Sequence, residues 1–502
     1  MMLVPLLVSS CTKAEDDGGS GGTEPTPNEE PAKSYPLTRV SLIPQPKTLT
    51  YGDKNVAVPA IKETKDASLG EEEYKIEVTA EAINLSYGSE LGLIWGRQTV
   101  EQIVGQQTEV DGKQTIPLLS ISDAPRYGWR SFHLDVARHM YKVDFLKKLV
   151  DCLSFYKINH LHLHLTDDQG WRIEIKKYPE LTQEGAWRTF DKYDQECINL
   201  AQSDAAYAID SRFIRNGNEY GGYYTQNQLK DLVAYANERG IDVIPEIDMP
   251  GHLTSAIKCY PNMQCNGTTG WGTEFSYPIC AGRDENVEIL KNIFDEVMEI
   301  FPGKYIHLGA DEVNKDPWKS CEKCKAKMRA HNLKDVEALC NFFVKEIADY
   351  LKSKGKTVMA WDDAYYDNDP QDLVYTFWRD WLPQSPATIT SHGKKMVFME
   401  WGHFYLSGRP SDTQLKNLYN FSPDNDFPGI KADNMLGYQA CVFTETIPNA
   451  VILGRHVFPS LQAFSELTWS EKRSWDSFVT RLPWHLKWVQ RKGVTVRDTQ
   501  YK

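Results

Sequence analysis

The stretch TQNQLKDLVAYANERGIDVIPEIDMPGH, residues 225–252, joins one helix to one strand and decides how the rest of the chain is read. Thr225 and Gln228 form a T-x-x-Q capping box, so a helix starts there. Leu229, Leu232, Val233 and Ala236 recur at helical spacing and give it one apolar face. Gly240 supplies the stop, because glycine tolerates the left-handed backbone that ends helices. The apolar run IDVIPEID follows directly and reads as a buried strand. Short apolar runs of this kind, each ending in polar residues, recur at 131–136, 160–165, 242–247, 305–308, 357–360, 373–377, 395–399 and 438–443. Eight strands alternating with helices predict an α/β fold, a (β/α)₈ TIM barrel over residues 126–490. The region 35–125 has short β-rich runs at 75–78 and 83–85 and one helical stretch at 91–104. It reads as a small α+β domain preceding the barrel. The long segment 170–222 follows the second strand, which places it over the C-terminal face of the barrel, where loops build sites.

Composition narrows the class of partner. The chain has 502 residues, 41% hydrophobic, and a net charge of −13. An acidic surface repels polyanions, so no nucleic-acid partner is expected. Residues 3–8, LVPLLV, then Ser9, Ser10 and Cys11, form a short apolar run ending in small residues before a cysteine. That is a signal-peptide pattern over 1–11, too short to span a bilayer, and it resembles a bacterial lipoprotein cleavage box with Cys11 as the lipidated residue. Residues 12–34, rich in Gly, Glu, Asp, Pro and Thr, read as a disordered tether. The expected location is exported and lipid-anchored to the bacterial outer membrane, with the anchor as the only membrane contact. Of the ten cysteines, Cys265 and Cys280 flank a Gly-rich loop and are a candidate bridge. Cys321 and Cys324 form C-x-x-C with His331 and Cys340 nearby, a pattern open to zinc but read rather as a loop disulfide or free thiols outside the cytosol.

In a barrel, polar groups at the C-terminal strand ends converge on one pocket. Those ends carry Asp135 and Arg138, Asp167 and Asp168, Glu246, Asp248 and His252, Asp311 and Glu312, Asp362 and Asp363, Trp378 and Arg379, Glu400, Trp401 and Tyr405, and Thr444 and Glu445. Carboxylates accept hydrogen bonds from sugar hydroxyls, and rings stack on the C–H face of a pyranose. Capping of following helices explains some of these acids, Asp363 among them, but explains the whole set poorly. Cleaving a glycoside needs a proton donor for the leaving oxygen and a group that stabilises positive charge at the anomeric carbon. The adjacent acids Asp311 and Glu312 can supply both, since an ionised neighbour raises the other's pKa. His160, His162 and His164 share one strand face, and barrel interiors accept hydrogen-bonded histidines, so neither metal nor cofactor is assigned.

The stretches RYGWRSFHLDVARHMY (126–141), LHLHLTDDQGWRIEIKKYPEL (161–181), GGYYTQ (221–226), VIPEIDMPGH (243–252) and YIHLGADEV (305–313) closely resemble family 20 glycoside hydrolases, the β-N-acetylhexosaminidases. The resemblance covers about residues 35–490, including the small N-terminal domain. It implies an exo-acting retaining hydrolase that removes terminal β-linked N-acetylhexosamine, with the substrate's own acetamide oxygen as nucleophile and an oxazolinium intermediate. By the matched motifs, Asp311 orients the acetamide and Glu312 is general acid and then base. Asp167 and His252 form a relay toward Glu312. Arg138 holds the C3 and C4 hydroxyls, Trp361 and Trp378 box the acetamide methyl, Tyr405 hydrogen-bonds its oxygen, and Glu445 binds the C4 and C6 hydroxyls.

Three positions depart from the family's usual pattern. Phe443 stands where Trp is common, which makes the platform under the sugar smaller. Ser407 stands where Asp is frequent, and Arg379 follows Trp378 where a small residue is frequent. Losing an anion and gaining a cation near C6 favours a negatively charged sugar, which predicts tolerance of 6-O-sulfated N-acetylglucosamine. The competing reading from another class is a non-catalytic sugar-binding lipoprotein on the same barrel. Intact Asp311, Glu312, Asp167 and His252 argue against it. The D-x-x-D-x-D-x-E signature of family 18 chitinases and the Gly-x-Ser-x-Gly of serine hydrolases are not found.

Overall fold

The computed structural model describes residues 35–265, 275–367 and 369–501. The leader read at 1–11, Cys11 and the tether at 12–34 lie outside the described residues. Eight strands close into a barrel: Trp129–Asp135, His160–His164, Asp242–Glu246, Tyr305–His307, Thr357–Trp361, Val374–Phe377, Lys395–Phe398 and Met435–Val442. Every neighbouring pair is parallel, from Ser131 opposite His160 around to Gly437 opposite Trp129. Parallel strands covered by helices are buried on both faces, which is why they read as apolar runs. All eight expected strands are present, with shifts at the ends. The fourth stops at His307 because Gly309 and Ala310 turn to positive φ, 70° and 72°.

The connecting helices follow their sequence signals. Gln226–Asn237 starts at a formed capping box, with Thr225 Oγ1 accepting from the Gln228 amide at 3.2 Å and Gln228 Oε1 accepting from the Thr225 amide at 2.9 Å. Leu229, Leu232, Val233 and Ala236 are its buried face, and Gly240 has φ 72°. Residues 170–222 add a small three-stranded sheet of Trp187–Thr189, Glu219–Gly221 and Ile214–Arg215, with the helix Lys192–Ala201. The Met140 amide donates to Tyr220 Oη at 2.6 Å, so this segment packs on the loop leaving the first strand.

Ahead of the barrel, six strands between Thr48 and Asp123 form one sheet, covered by the helix Glu90–Val104. Its core centres on Trp95, Leu85, Ile103 and Ile116, and the barrel contributes Trp469 to it. Trp469 Nε1 donates to Asp123 at 3.0 Å, and Arg130 pairs with Glu72. Arg130 lies near the start of the first barrel strand, so the small domain is fastened away from the C-terminal strand ends. Among the described residues, no helix is long and apolar enough to cross a membrane.

The bridge expected between Cys265 and Cys280 is not formed; both are free thiols. The turn that opens the helix Glu322–Ala330 brings Cys321 and Cys324 against them, leaving Cys265 Sγ 3.6 Å from Cys324 Sγ.

Candidate active site

The barrel mouth holds a cavity of about 280 Å³, whose polar wall includes Arg138, Asp167, Asp311, Glu312 and Glu445 from the strand ends. Asp311 and Glu312 form part of its wall, reached through the turn after the fourth strand. That turn is held in a backbone conformation that most side chains avoid: Gly309, Ala310 and Glu312 have φ of 70°, 72° and 48°. Asp248 holds it in place, its Oδ1 accepting from the Ala310 amide at 3.0 Å. A Cβ added to Gly309 would sit 1.8 Å from Asp248 Oδ1, so glycine is required there. The turn gives the two acids different surroundings. The Asp311 side chain is 15% exposed and that of Glu312 is 37% exposed. Burial raises the Asp311 carboxyl to about 7, with Asp363, Glu246 and Glu312 adding to the rise and His252 opposing it. Burial, more than the neighbouring carboxylates, is the main cause of that rise. Asp311 Oδ1 is buried with no hydrogen-bond partner among the described residues.

His252 brings the pair together. Its Nε2 lies 3.5 Å from Glu312 Oε2 and 3.9 Å from Asp311 Oδ2, and its φ is 49°. On the other side, Nδ1 lies 3.2 Å from Asp168 Oδ2 and 3.3 Å from Asp167 Oδ1. Burial disfavours a charged imidazole, yet the two aspartates raise the His252 pKa well above its ordinary value. The hydrogen bond is made to Asp168, a residue not singled out for the relay in the sequence. Asp167 turns one oxygen toward His252 and the other the opposite way: its Oδ2 is 2.8 Å from Arg138 Nη2 and 2.8 Å from His164 Nε2. His164 Nδ1 in turn meets Glu246 Oε2 at 2.8 Å. This makes a buried chain of alternating charge, Glu246–His164–Asp167–Arg138. Burial works against the charge on His164, but the flanking acids raise its pKa well above the ordinary value. Arg138 lines the cavity and is held charged by Asp167 and Asp135 despite its burial.

Aromatic rings form the rest of the wall. Trp361 is buried and donates from Nε1 to Glu246 Oε1 at 2.8 Å. Trp378 donates from Nε1 to Asp363 Oδ2 at 2.7 Å. Tyr405 stacks on Trp401 with centroids 5.2 Å apart and on Phe443 at 5.5 Å. Burial raises the Tyr405 pKa well above the ordinary value, leaving a neutral phenol that can donate. Glu445 also lines the cavity, and burial raises its carboxyl. Ser407 is present at the wall, its Oγ accepting from the Phe443 amide at 2.7 Å.

Arg379 is the predicted contact that the fold sends elsewhere. Its Nε donates to Asp362 Oδ2 at 2.9 Å and its Nη2 to the Asp362 carbonyl at 2.9 Å. It borders a second cavity on the far side of Glu312, beside Val344 and Cys340, and does not line the mouth cavity. The buried Asp362 carboxyl captures the guanidinium, so the expected cation beside the sugar's C6 is absent from that wall. Three further residues complete the cavity: His164, Trp401 and Phe275. Trp401 stood among the strand-end residues without an assigned role. Phe275 belongs to a long loop, and no periodicity marks it. Its ring stands edge-on to His252 at 5.1 Å.

Comparison with known proteins agrees with this geometry. Residues 127–472 match the glycosyl hydrolase family 20 catalytic domain, and residues 53–124 match domain 2 of that family. A beta-hexosaminidase of Porphyromonas gingivalis is 33% identical over 436 residues, 82% of this chain and 53% of the relative. The chain therefore spans about half the length of that relative. A beta-hexosaminidase of Akkermansia muciniphila is 30% identical over 481 residues, covering 90% of this chain and 91% of the relative. Among solved structures, a family 20 exo beta-N-acetylglucosaminidase of Vibrio harveyi in complex with N-acetylglucosamine superimposes with TM-score 0.80 at 28% identity. That match covers 94% of this chain and 81% of the other. A beta-N-acetylhexosaminidase of Bacteroides fragilis gives TM-score 0.77 at 28% identity, over 92% and 99% of the two chains.

Two tests follow from the turn. Gly309→Ala should lose about 2 kcal/mol or more of stability, because it adds left-handed strain to a clash with a buried carboxyl. A denaturant midpoint equal to that of the wild type would contradict the constraint. Asp311 holds its proton up to about 7 when folded, against 3.8 for the free group. Its contribution to stability is therefore full below 3.8, falls as pH rises between the two values, and levels off above 7. In Asp311→Asn that contribution does not titrate. The Tm of wild type minus that of Asp311→Asn should decrease from pH 4 to pH 8, and a constant difference would show that Asp311 is not a raised acid.

Proposed function

The chain belongs to glycosyl hydrolase family 20, and we propose that it is an exo-acting β-N-acetylhexosaminidase that removes terminal β-linked N-acetylglucosamine or N-acetylgalactosamine from glycans. One observation carries the reading: two adjacent carboxylates, Asp311 and Glu312, converge on one imidazole in a cavity walled by Trp361, Trp378 and Tyr405. The small volume of that cavity suits a single sugar unit, which favours cleavage from the chain end.

The proposed reaction is substrate-assisted and retaining. Trp361 and Trp378 would hold the acetamide methyl. Tyr405, a neutral donor, would bind the acetamide oxygen and aim it at the anomeric carbon. The unpartnered Oδ1 of Asp311 would accept the acetamide N–H. That hydrogen bond favours the Asp311 anion. Glu312, as the general acid, gives its proton to the leaving glycosidic oxygen as the acetamide oxygen attacks. The ionised Asp311 stabilises the charge that develops on the oxazolinium ring. In the second half, Glu312 takes a proton from the water that opens the ring, returning a β-configured sugar. His252, set between Asp168 and Glu312, keeps the Glu312 carboxyl oriented. Arg138 and Glu445 would hold the C3, C4 and C6 hydroxyls.

The geometry lends no support to sulfate recognition by Arg379, whose charge is shared by Asp362 and Asp363. We therefore read the substrate as a neutral hexosamine, with Phe443 as its platform. For location, we propose export and lipid anchoring through Cys11, on the strength of the apolar run followed by Ser9, Ser10 and Cys11.

A panel of aryl β-glycosides tests the chemistry. Wild type should hydrolyse both N-acetylhexosaminides, and Glu312→Gln should lose about 10²–10⁴-fold in kcat on substrates with poor leaving groups. Rates should fall steeply as the acetamide methyl is fluorinated, because its oxygen is then a weaker nucleophile. A 6-sulfo substrate should be turned over poorly, and equally so by wild type and Arg379→Ala. Sugar binding with no turnover by wild type would favour the sugar-binding protein instead. For the anchor, labelled palmitate should be incorporated by the full chain in a bacterial host and lost in Cys11→Ala; equal labelling of both would overturn it.

A further inference from the structure

Outside the mouth cavity, four buried cysteines from two distant stretches of sequence meet at one point. Cys265, Cys280, Cys321 and Cys324 place their sulfurs all within 4.8 Å of one another. Cys280 Sγ is 3.6 Å from Cys324 Sγ and 3.7 Å from Cys321 Sγ, and Cys265 Sγ is 3.6 Å from Cys324 Sγ. These separations are too long for disulfides, whose sulfurs stand about 2.05 Å apart. They agree with the edge of a tetrahedron of thiolates around zinc, about 3.8 Å for Zn–S bonds of about 2.3 Å. The backbone around them is arranged for sulfur ligation as well. A Cβ on Gly282 would lie 2.3 Å from the Cys324 amide nitrogen, so only glycine lets the two ligand-bearing turns approach this closely. The C-x-x-C pair lies at the start of the helix Glu322–Ala330, with Cys321 as its cap residue.

We propose that Cys265, Cys280, Cys321 and Cys324 form a structural tetrathiolate zinc site that clamps the active-site loop to the segment following the catalytic pair. The donor set differs from the one the sequence suggested. His331 packs its ring against Phe342 at 4.4 Å, and Cys340 faces the cavity beside Val344. Four thiolates leave no open coordination position, so the ion holds structure and performs no chemistry.

What the clamp would hold is visible in the contacts between the two ligand pairs. The stretch 275–282 places the Phe275 ring on His252, and the Ser276 amide donates to Asp168 Oδ2 at 2.7 Å. The Trp318 indole, between Glu312 and Cys321 in sequence, donates to the Ile279 carbonyl at 3.0 Å. The 260–282 stretch has only one short 3₁₀ turn, Pro261–Met263, among its described residues. A metal crosslink supplies order that secondary structure does not provide here.

Metal content is the test, and it is independent of whether the proposed hydrolysis occurs. The full chain, carrying no histidine tag and purified without chelator, should contain one zinc per chain by mass spectrometry. A mercurial should release that zinc as four thiols react, and alkylation before and after release should map the newly accessible thiols to these four cysteines. Cys321→Ser/Cys324→Ser should abolish zinc retention, while Cys340→Ser should keep it. If the double variant does not fold, the mercurial titration of wild type still decides. Intact mass showing disulfides among these residues, or metal-free protein with all four thiols open to alkylation, would overturn the proposal. Zinc retained by the double variant would overturn it too.

Discussion

A carboxylate buried on the barrel axis needs partners, and Glu246, on the third strand, recruits them from four others. His133 Nε2 approaches it at 3.7 Å from the first strand, and His162 Nε2 and His164 Nδ1 at 3.0 and 2.8 Å from the second. His307 Nδ1 stands 3.3 Å away on the fourth strand, and Trp361 Nε1 donates at 2.8 Å from the fifth. An unpaired charge at this depth is costly enough to disfavour any arrangement that leaves one out. Burial pushes His133 to about 3 and His307 to about 4, so both are neutral. His164, by contrast, is driven well upward, and its charge connects Glu246 to Asp167 and so to Arg138. The electrostatics of the mouth are therefore continuous with the packing of the core. Arg138, at the cavity wall, is held by a chain that begins beneath it.

The second organising feature is backbone strain concentrated at the site. His252, Ser276, Ala310 and Glu312 are non-glycine residues with positive φ, and each lies within the group that surrounds the acid pair. Such conformations persist only where surrounding contacts over-determine them. Asp248, Asp168 and the Ser276 amide supply those contacts. The consequence is unequal burial of two carboxylates that are neighbours in the chain.

Much of this was legible in the chain. Barrel strands are apolar because helices cover them, and their polar ends are conspicuous by contrast, so all eight strands and most of the cavity wall could be read directly. The helix Gln226–Asn237 was marked at both ends by local chemistry, a capping box and a glycine. Arg379 was misplaced because sequence reports that a cation follows Trp378 but not which way it points; the Asp362 carboxyl decides that. Phe275 was missed because loops carry no periodicity. The bridge between Cys265 and Cys280 was expected because only the nearer sequence neighbours could be weighed. The fold adds a second pair from beyond the catalytic turn.

By itself, the sequence determined the (β/α)₈ barrel, the small α+β unit before it, the family, and the identity of the two adjacent acids. These follow from periodicity, capping and contiguous motifs, which are local properties of the chain. Only the tertiary structure decided that burial raises Asp311, that His252 is hydrogen-bonded to Asp168, that Arg379 pairs with Asp362 instead of lining the mouth cavity, and that four cysteines converge. Each of these depends on distance and dielectric between residues far apart in sequence, and a linear pattern carries neither.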